Sequence, residues 1–165
     1  MMSIQLPTQK IKAATVSPKN IIIFAKPKIG KTEALAGLEN NLILDLENGS
    51  DYIDALKIKA SSIKELKEIG AEILKAGCPH QYISIDTVTA LEEMCVNYAE
   101  VLYSKKLVGK NWFKCDANKK LTADSGKMQY GNILNLPNGG GYTFLREAVT
   151  EIINYVKTLA PRTIL

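Results

Sequence analysis

Cysteine and histidine are scarce in this sequence of 165 residues, which contains three cysteines and one histidine. The cysteines, Cys78, Cys95 and Cys115, are odd in number and far apart, so they match neither a zinc-binding pattern nor a disulfide framework. The histidine, His80, has no ligand-type neighbours, and we interpret it as a loop residue. These absences argue against a zinc centre and fit a reducing cytoplasm.

Long apolar runs are also missing. The longest span about five residues, whereas a membrane-spanning helix needs roughly 20. The N-terminus lacks the apolar core of a secretory signal. We therefore expect no membrane association and a cytoplasmic location. An apolar content of 46% nevertheless suits a folded core, and the length suits one domain.

Positive and negative charges are unevenly distributed, although the net charge is only +4. Residues 1–31 contain six lysines and no acidic residue, whereas residues 33–54 contain six acidic residues and no basic one. Residues 100–127 contain seven lysines against three acidic residues. Mild basicity of this kind permits a nucleic-acid partner without requiring one.

The most informative motif is A-K-P-K-I-G-K-T, which begins at Ala25 and follows the apolar run I-I-I-F. It matches the phosphate-binding loop pattern G-x-x-x-x-G-K-[ST] at Gly30, Lys31 and Thr32, with Ala25 in place of the first glycine. The apolar run before it and the helix-favouring E-A-L-A after it supply the expected strand–loop–helix context. The motif therefore predicts binding of a nucleoside triphosphate, the alternative being a lysine-rich surface turn.

Each residue type in this loop has a chemical reason. Backbone N–H groups of a tight loop, with the following helix N-terminus, meet phosphate charge without bulky side chains. Lys31 supplies a point charge for the β- and γ-phosphates, and the Thr32 hydroxyl is a hard oxygen ligand suited to Mg²⁺. The predicted phosphate-binding residues are Lys26, Pro27, Lys28, Ile29, Gly30, Lys31 and Thr32.

Hydrophobic periodicity predicts alternating strands and helices. The predicted strands are Ile21–Ala25, Leu42–Leu46, Tyr82–Asp86 and a last one beginning at Thr163. The predicted helices cover residues 32–38, 62–75, 90–103 and 142–159. Ser61 or Ser62 is expected to cap the second helix. This alternation indicates an α/β fold with a mostly parallel sheet flanked by helices.

Three parts of the chain depart from this alternation. Residues 105–141 are polar and punctuated by glycine, asparagine and proline, so we expect an irregular insertion there. Residues 1–18 are expected to form an N-terminal extension. Thr163–Leu165 looks like the beginning of a core strand, so we expect the domain, residues 1–165, to be incomplete at its C-terminus.

Acidic residues follow two predicted strands at the ends where an α/β sheet binds ligands. Asp86 ends the third strand, and we expect it to hold Mg²⁺ together with Thr32, while Thr87 hydrogen-bonds nearby. Glu47 lies just past the second strand and is the candidate general base for water. Asp45 is expected to be structural. The alternative for these carboxylates is a capping role, with Asp86 and Thr87 as the cap of the next helix.

With these residues in place, the chain resembles the RecA-like P-loop ATPases. The segment L-I-L-D-L-E looks like the strand that ends in D-x-E and carries the catalytic glutamate, here Glu47. The segment Y-I-S-I-D-T looks like the Walker B strand, here ending at Asp86. More narrowly, P-K-I-G-K-T, L-D-L-E-N-G-S and I-D-T-V-T-A-L are similar to phage-encoded AAA-domain ATPases linked to single-strand annealing. The similarity covers roughly residues 19–91 and, more weakly, Tyr130, Gly131 and the last helix.

This resemblance implies a RecA-like core that binds ATP and Mg²⁺, with Lys31 and Glu47 as catalytic residues. It further implies a homo-oligomer that acts on single-stranded DNA with phage or host recombination proteins in the bacterial cytoplasm. The lysine-rich residues 105–127 include Trp112 and Phe113, a combination that suits single-stranded nucleic acid. The alternative for that segment is a surface loop with an anchoring tryptophan.

Two other functional classes stay open. Another P-loop motor or a helicase loader would share Lys31, Thr32 and Asp86, and a preference for duplex DNA or a helicase partner would distinguish it. A nucleotide-binding scaffold without turnover is the second class. We expect residues 1–165 alone to hydrolyse ATP slowly or not at all, which would favour this class for the segment itself. Arg146 and Arg162 are the only arginines, and neither lies in an arginine-finger motif.

Overall fold

The computed structural model of the protein describes residues 18–26, 28–106, 114–115, 120–122, 128–130 and 132–165. The strands of this part of the chain are β1 (Asn20–Ile21), β2 (Asn41–Asp45), β3 (Lys57–Lys59), β4 (Tyr82–Asp86), β5 (Lys114–Cys115), β6 (Lys120–Thr122), β7 (Met128–Tyr130) and β8 (Arg162–Ile164). Its α-helices are α1 (Lys31–Ala36), α2 (Ile63–Lys75), α3 (Val88–Ser104) and α4 (Gly140–Val156). Short 3₁₀ turns cover Ile133–Asn135 and Pro137–Gly139.

Five strands form one sheet in the order β1-β8-β4-β2-β3, and every neighbouring pair is parallel. Parallel sheets are covered on both faces by helices, which explains why the interior strands β2 and β4 are largely apolar. The prediction of a mostly parallel α/β sheet flanked by helices is therefore confirmed. Among the described residues, no helix is both long and apolar enough to cross a bilayer.

Side chains alternate between the two faces of the sheet. Leu42, Leu44 and Ile83 belong to the large core that α2, α3 and α4 form on one face. Ile43 and Ile164 point to the opposite face, where they pack against Leu35 of α1. This period of two in a strand places the short helix α1 on the face that also carries the polar side chains of β2 and β4.

The faces and ends of the longer helices follow the sequence pattern closely. Ile63, Leu66, Gly70 and Ile73 of α2 are all buried, as their helical spacing predicts. Ser62 caps α2, since its hydroxyl oxygen accepts a hydrogen bond from the backbone N–H of Glu65 at 3.2 Å.

The first strand differs from its prediction as Ile21–Ala25. It is assigned only at Asn20–Ile21, and Ile22 and Phe24 are 77% and 98% exposed. The apolar run looked like a buried strand, but β1 lies at the edge of the sheet and pairs with β8 on one side. Its parallel pairing continues one residue further, because the Leu165 N–H donates to the Ile21 carbonyl at 2.9 Å and the Ile23 N–H donates to the Leu165 carbonyl at 2.8 Å.

One edge strand and one small sheet were not predicted. β3 is a three-residue edge strand of sequence K-I-K, which lacks the apolar character used to recognise strands. The region expected to be irregular, residues 105–141, contains β5, β6 and β7 as a small antiparallel sheet in its described part. The expected strand at the end of the chain is confirmed, because β8 lies between β1 and β4 and pairs with both.

Gly141, in the first turn of α4, is packed directly against the backbone of the preceding 3₁₀ turn. A Cβ atom on Gly141 would lie 1.9 Å from the carbonyl oxygen of Ile133. A Cβ on the neighbouring Gly140 would lie 3.8 Å from the Cβ of Leu136, which is an ordinary contact. The absence of a side chain at Gly141 is therefore what lets this turn dock on α4.

We predict that Gly141→Ala lowers the free energy of unfolding by about 1–3 kcal/mol, because backbone must move to accept the methyl group. Gly140→Ala is the matched control and should change it by less than about 0.5 kcal/mol. Urea denaturation of both variants measures the difference. Equal stabilities would show that the turn carrying Ile133 does not pack on α4 in this way.

Candidate active site

The predicted phosphate-binding loop connects β1 to α1. Gly30 has a φ of 90°, a left-handed conformation that favours glycine, and it directly precedes α1. Lys26, Lys28, Ile29 and Gly30 are exposed, so a ligand can reach their backbone. The remaining predicted loop residue, Pro27, lies outside the described residues.

Lys31 reaches back across the loop. Its Nζ atom donates a hydrogen bond to the carbonyl oxygen of Ala25 at 3.4 Å. Ala25 occupies the first glycine position of the pattern, yet its φ is not positive. Any residue supplies a backbone carbonyl, and a φ that is not positive does not require glycine. Alanine can therefore occupy this position.

Thr32 and Asp86 meet at the start of α1. Thr32 Oγ1 donates a hydrogen bond to Asp86 Oδ2 at 2.6 Å, and Asp86 is 8% exposed. The two residues are 54 positions apart in sequence. The structure thus brings together the two side chains that the sequence assigned to a magnesium site.

Two hard oxygen donors suit Mg²⁺, which usually takes one or two protein oxygens and completes its shell with water and phosphate. The described residues hold no group of three or more His, Cys, Asp or Glu side chains that would form an all-protein metal cage. The pair of Thr32 and Asp86 therefore fits a metal that arrives with a phosphate ligand, rather than a permanently held structural ion.

Glu47 lies beside this pair, at the end of the neighbouring strand. Asp45 of β2 lies opposite Asp86 of β4, and the Leu46 N–H donates to the Asp86 carbonyl at 2.9 Å. Just past the two strand ends, one residue beyond Leu46 and Asp86, the Thr87 hydroxyl donates a hydrogen bond to Glu47 Oε1. The peptide bond between Asp86 and Thr87 is cis. Thr32, Asp86, Thr87 and Glu47 thus form a continuous polar row.

Asp45 organises the loop that carries Glu47. Its Oδ1 accepts from the N–H groups of Glu47 and Gly49, both at 3.2 Å, and its Oδ2 accepts from the N–H and hydroxyl of Ser50 at 3.1 and 2.5 Å. Burial alone would raise the pKa of Asp45, but these hydrogen bonds outweigh it and hold the pKa below its usual value. Asp45 therefore has the structural role expected of it.

Asn41 and Ser84 are site-supporting residues that the sequence reasoning missed. Asn41 Nδ2 donates to the Leu35 carbonyl at 2.8 Å, and Ser84 Oγ donates to Asn41 Oδ1 at 2.7 Å. Both side chains are buried, and together they join the last turn of α1 to β2 and β4. The available signal was a polar residue within each of two otherwise apolar strands.

A cavity of about 530 Å³ lies against this row and is large enough for a small-molecule ligand. Lys31, Asp86 and Thr87 form its polar side. Its remaining lining is mostly apolar and includes Ile22, Phe24, Val88, Ile153 and Leu165.

The candidates His80 and Cys95 lie away from this site. The His80 ring nitrogen is 3.3 Å from Asn40 Oδ1, in keeping with a loop role. Cys95 is fully buried, and burial raises the pKa of its thiol to about 11, which makes it a poor nucleophile. Trp112 and Phe113 lie outside the described residues.

A family model described as an AAA domain matches residues 17–164. The chain therefore belongs to this AAA-domain family of nucleotide-binding P-loop ATPases. No curated protein and no solved structure gives a significant match.

We predict that Asp45→Asn lowers the free energy of unfolding by about 1–3 kcal/mol at neutral pH, because four donors lose a charged acceptor. The folded pKa of Asp45 lies below its unfolded value of about 3.9, so this stabilisation is complete above that pH. It disappears as pH falls through the lower folded pKa.

Urea denaturation between pH 2 and 7, compared with the exposed control Asp54→Asn, measures this effect. The difference between wild type and Asp45→Asn should shrink only on the acidic side. A difference that is constant over the whole range would contradict the proposed ionised state of Asp45.

Proposed function

We propose that this chain hydrolyses ATP to ADP and phosphate at the site formed by Lys31, Thr32, Asp86 and Glu47. The observation that carries the proposal is the hydrogen bond between Thr32 and Asp86 directly behind the phosphate-binding loop. In a simple surface turn, we would not expect the threonine to form a hydrogen bond with a buried aspartate at the end of the middle strand of the sheet.

Each residue would have one task. The backbone from Lys26 to Gly30 and the ammonium group of Lys31 would bind the phosphates, while Thr32 and Asp86 would hold Mg²⁺, Asp86 through water. Mg²⁺, when bound, neutralises charge on the β- and γ-phosphate oxygens. Glu47 would orient the attacking water and accept its proton, and the displaced ADP would leave as the second product.

We further propose single-stranded DNA as the partner and a homo-oligomer as the working form, in phage or host recombination. The support is the resemblance to phage single-strand annealing ATPases together with the lysine- and aromatic-containing residues 105–127.

We predict that Lys31→Ala weakens ATP binding at least tenfold, since it removes the positive charge that faces the phosphates. Lys19→Ala is the control, because it removes an exposed lysine outside the loop and changes the net charge by the same amount as Lys31→Ala. Titration with a fluorescent ATP analogue in the presence of Mg²⁺ measures both affinities. Unchanged affinity in Lys31→Ala would refute phosphate binding by this loop.

We predict that Glu47→Gln keeps ATP affinity within about twofold and lowers turnover by about 10²–10⁴-fold, as expected when a general base is removed. The exposed Glu39→Gln is the matched control. Single-turnover hydrolysis with excess protein is the appropriate assay, because it detects even a slow reaction. Normal hydrolysis by Glu47→Gln would exclude it as the base.

For the DNA partner, we expect ATP hydrolysis to increase when single-stranded DNA is added. A labelled oligonucleotide should bind at low salt and dissociate as salt is raised, because phosphate contacts release counterions. Preference for duplex DNA would favour another motor or loader, and no oligonucleotide binding at low salt would contradict the proposed partner.

A further inference from the structure

Among the described residues, Thr87 is the one side chain that joins the Walker B strand to the candidate base. Its hydroxyl donates to Glu47 Oε1 across a separation of 40 residues. The parallel register sets this meeting, since Asp45 lies opposite Asp86 and the ladder continues to Leu46. Neighbouring strands are about 4.8 Å apart, so residues just past such a pair lie within reach of each other.

The Thr87 hydroxyl has two contacts, because it also caps the N-terminus of α3. The Ala90 N–H approaches Thr87 Oγ1 at 3.4 Å, which is longer than a typical N–H···O hydrogen bond. The contact with Glu47 is the closer of the two and involves a charged acceptor. A residue needed only as a cap would require no partner on β2.

Glu47 is therefore held at two points. Asp45 fixes its backbone through the N–H group at 3.2 Å, and Thr87 fixes its carboxylate at Oε1. Glu47 is exposed, and no described residue donates a hydrogen bond to its Oε2 atom. Among the described residues, one carboxylate oxygen of Glu47 is therefore held by a hydrogen-bond donor and the other has none.

We propose that Thr87 is a positioning residue that orients Glu47 so that Oε2 accepts the proton of the attacking water. The inference rests on the hydrolysis proposed above and adds a requirement for a hydroxyl at the position after Asp86. Thr87 itself touches neither water nor phosphate in this role, so its loss should reduce turnover while ATP binding persists.

Three substitutions at Thr87 separate positioning from capping. Thr87→Ser keeps the hydroxyl and both contacts. Thr87→Val has nearly the same shape and loses both contacts. Thr87→Asp keeps an acceptor for the cap but places a like charge against Glu47, so it removes only the positioning contact.

We expect Thr87→Val and Thr87→Asp to lower kcat by about 10–100-fold, the size of effect that misplacement of a catalytic group produces. The KM for ATP should stay within about twofold, and Thr87→Ser should keep kcat within about threefold of wild type. Ser62→Ala, which removes the cap of α2, is the control for a general loss of helix stability.

A second measurement reads the contact without relying on turnover. The ¹³C signal of the Glu47 carboxyl carbon, assigned by its absence in Glu47→Gln, should shift in Thr87→Val and Thr87→Asp and remain unchanged in Thr87→Ser. A carboxyl signal that is identical in wild type and Thr87→Val would overturn the proposal directly.

The kinetic outcomes are also decisive. Unchanged kcat in Thr87→Val, or an equal loss in Thr87→Ser or Ser62→Ala, would overturn positioning while leaving hydrolysis intact. If the wild type and Glu39→Gln show no single turnover at all, the proposed hydrolysis fails and the positioning role fails with it. In that case the carboxyl signal still reports whether Thr87 holds Glu47.

Discussion

The parallel register between β2 and β4 is the constraint on which the site depends. It sets Asp45 opposite Asp86 and brings the residues that follow them, Glu47 and Thr87, into contact. Because side chains alternate along a strand, a slip of one residue in β4 would turn Asp86 away from α1 and toward the large core. Burial of Leu44 and Ile83 in that core opposes such a slip, so hydrophobic packing on one face fixes polar geometry on the other.

The short helix α1 shows how this geometry reaches the phosphate-binding loop. Six residues are too few for a helix to be stable alone, so α1 depends on the sheet beneath it. Leu35 supplies an apolar contact, Asn41 binds the Leu35 carbonyl, and Thr32 binds Asp86. Buried amide and hydroxyl groups are tolerated in β2 and β4 because they are hydrogen-bonded. The polar residues of these strands thus hold the loop's helix against the sheet.

Much of this arrangement can be predicted from sequence, wherever one residue type has one explanation. β4 matches its predicted bounds, the buried stripe of α2 follows from helical spacing, and the loop motif indicated the pairing of Thr32 with Asp86. Position in the sheet is a different matter, because it depends on partners far away in the chain. The run Ile21–Ala25 looked like a buried strand and lies at an edge, while β3 was not predicted because its sequence K-I-K lacks an apolar pattern. The partner of Asn41 also could not be predicted, because the sequence does not show whether an asparagine side chain is buried or exposed.

The place of β8 has a consequence for how the protein acquires its shape. β1, which leads into the phosphate-binding loop, pairs with β8, and the partners Asn20 and Thr163 lie at nearly opposite ends of the sequence. Closing so long a loop is entropically unfavourable and is typically a late, slow step of folding. During synthesis, β2 and β4 can associate well before the ribosome has made residues 162–164. In the nascent chain, the sheet can therefore begin to form before β1, the strand that leads into the phosphate-binding loop, is able to pair with β8.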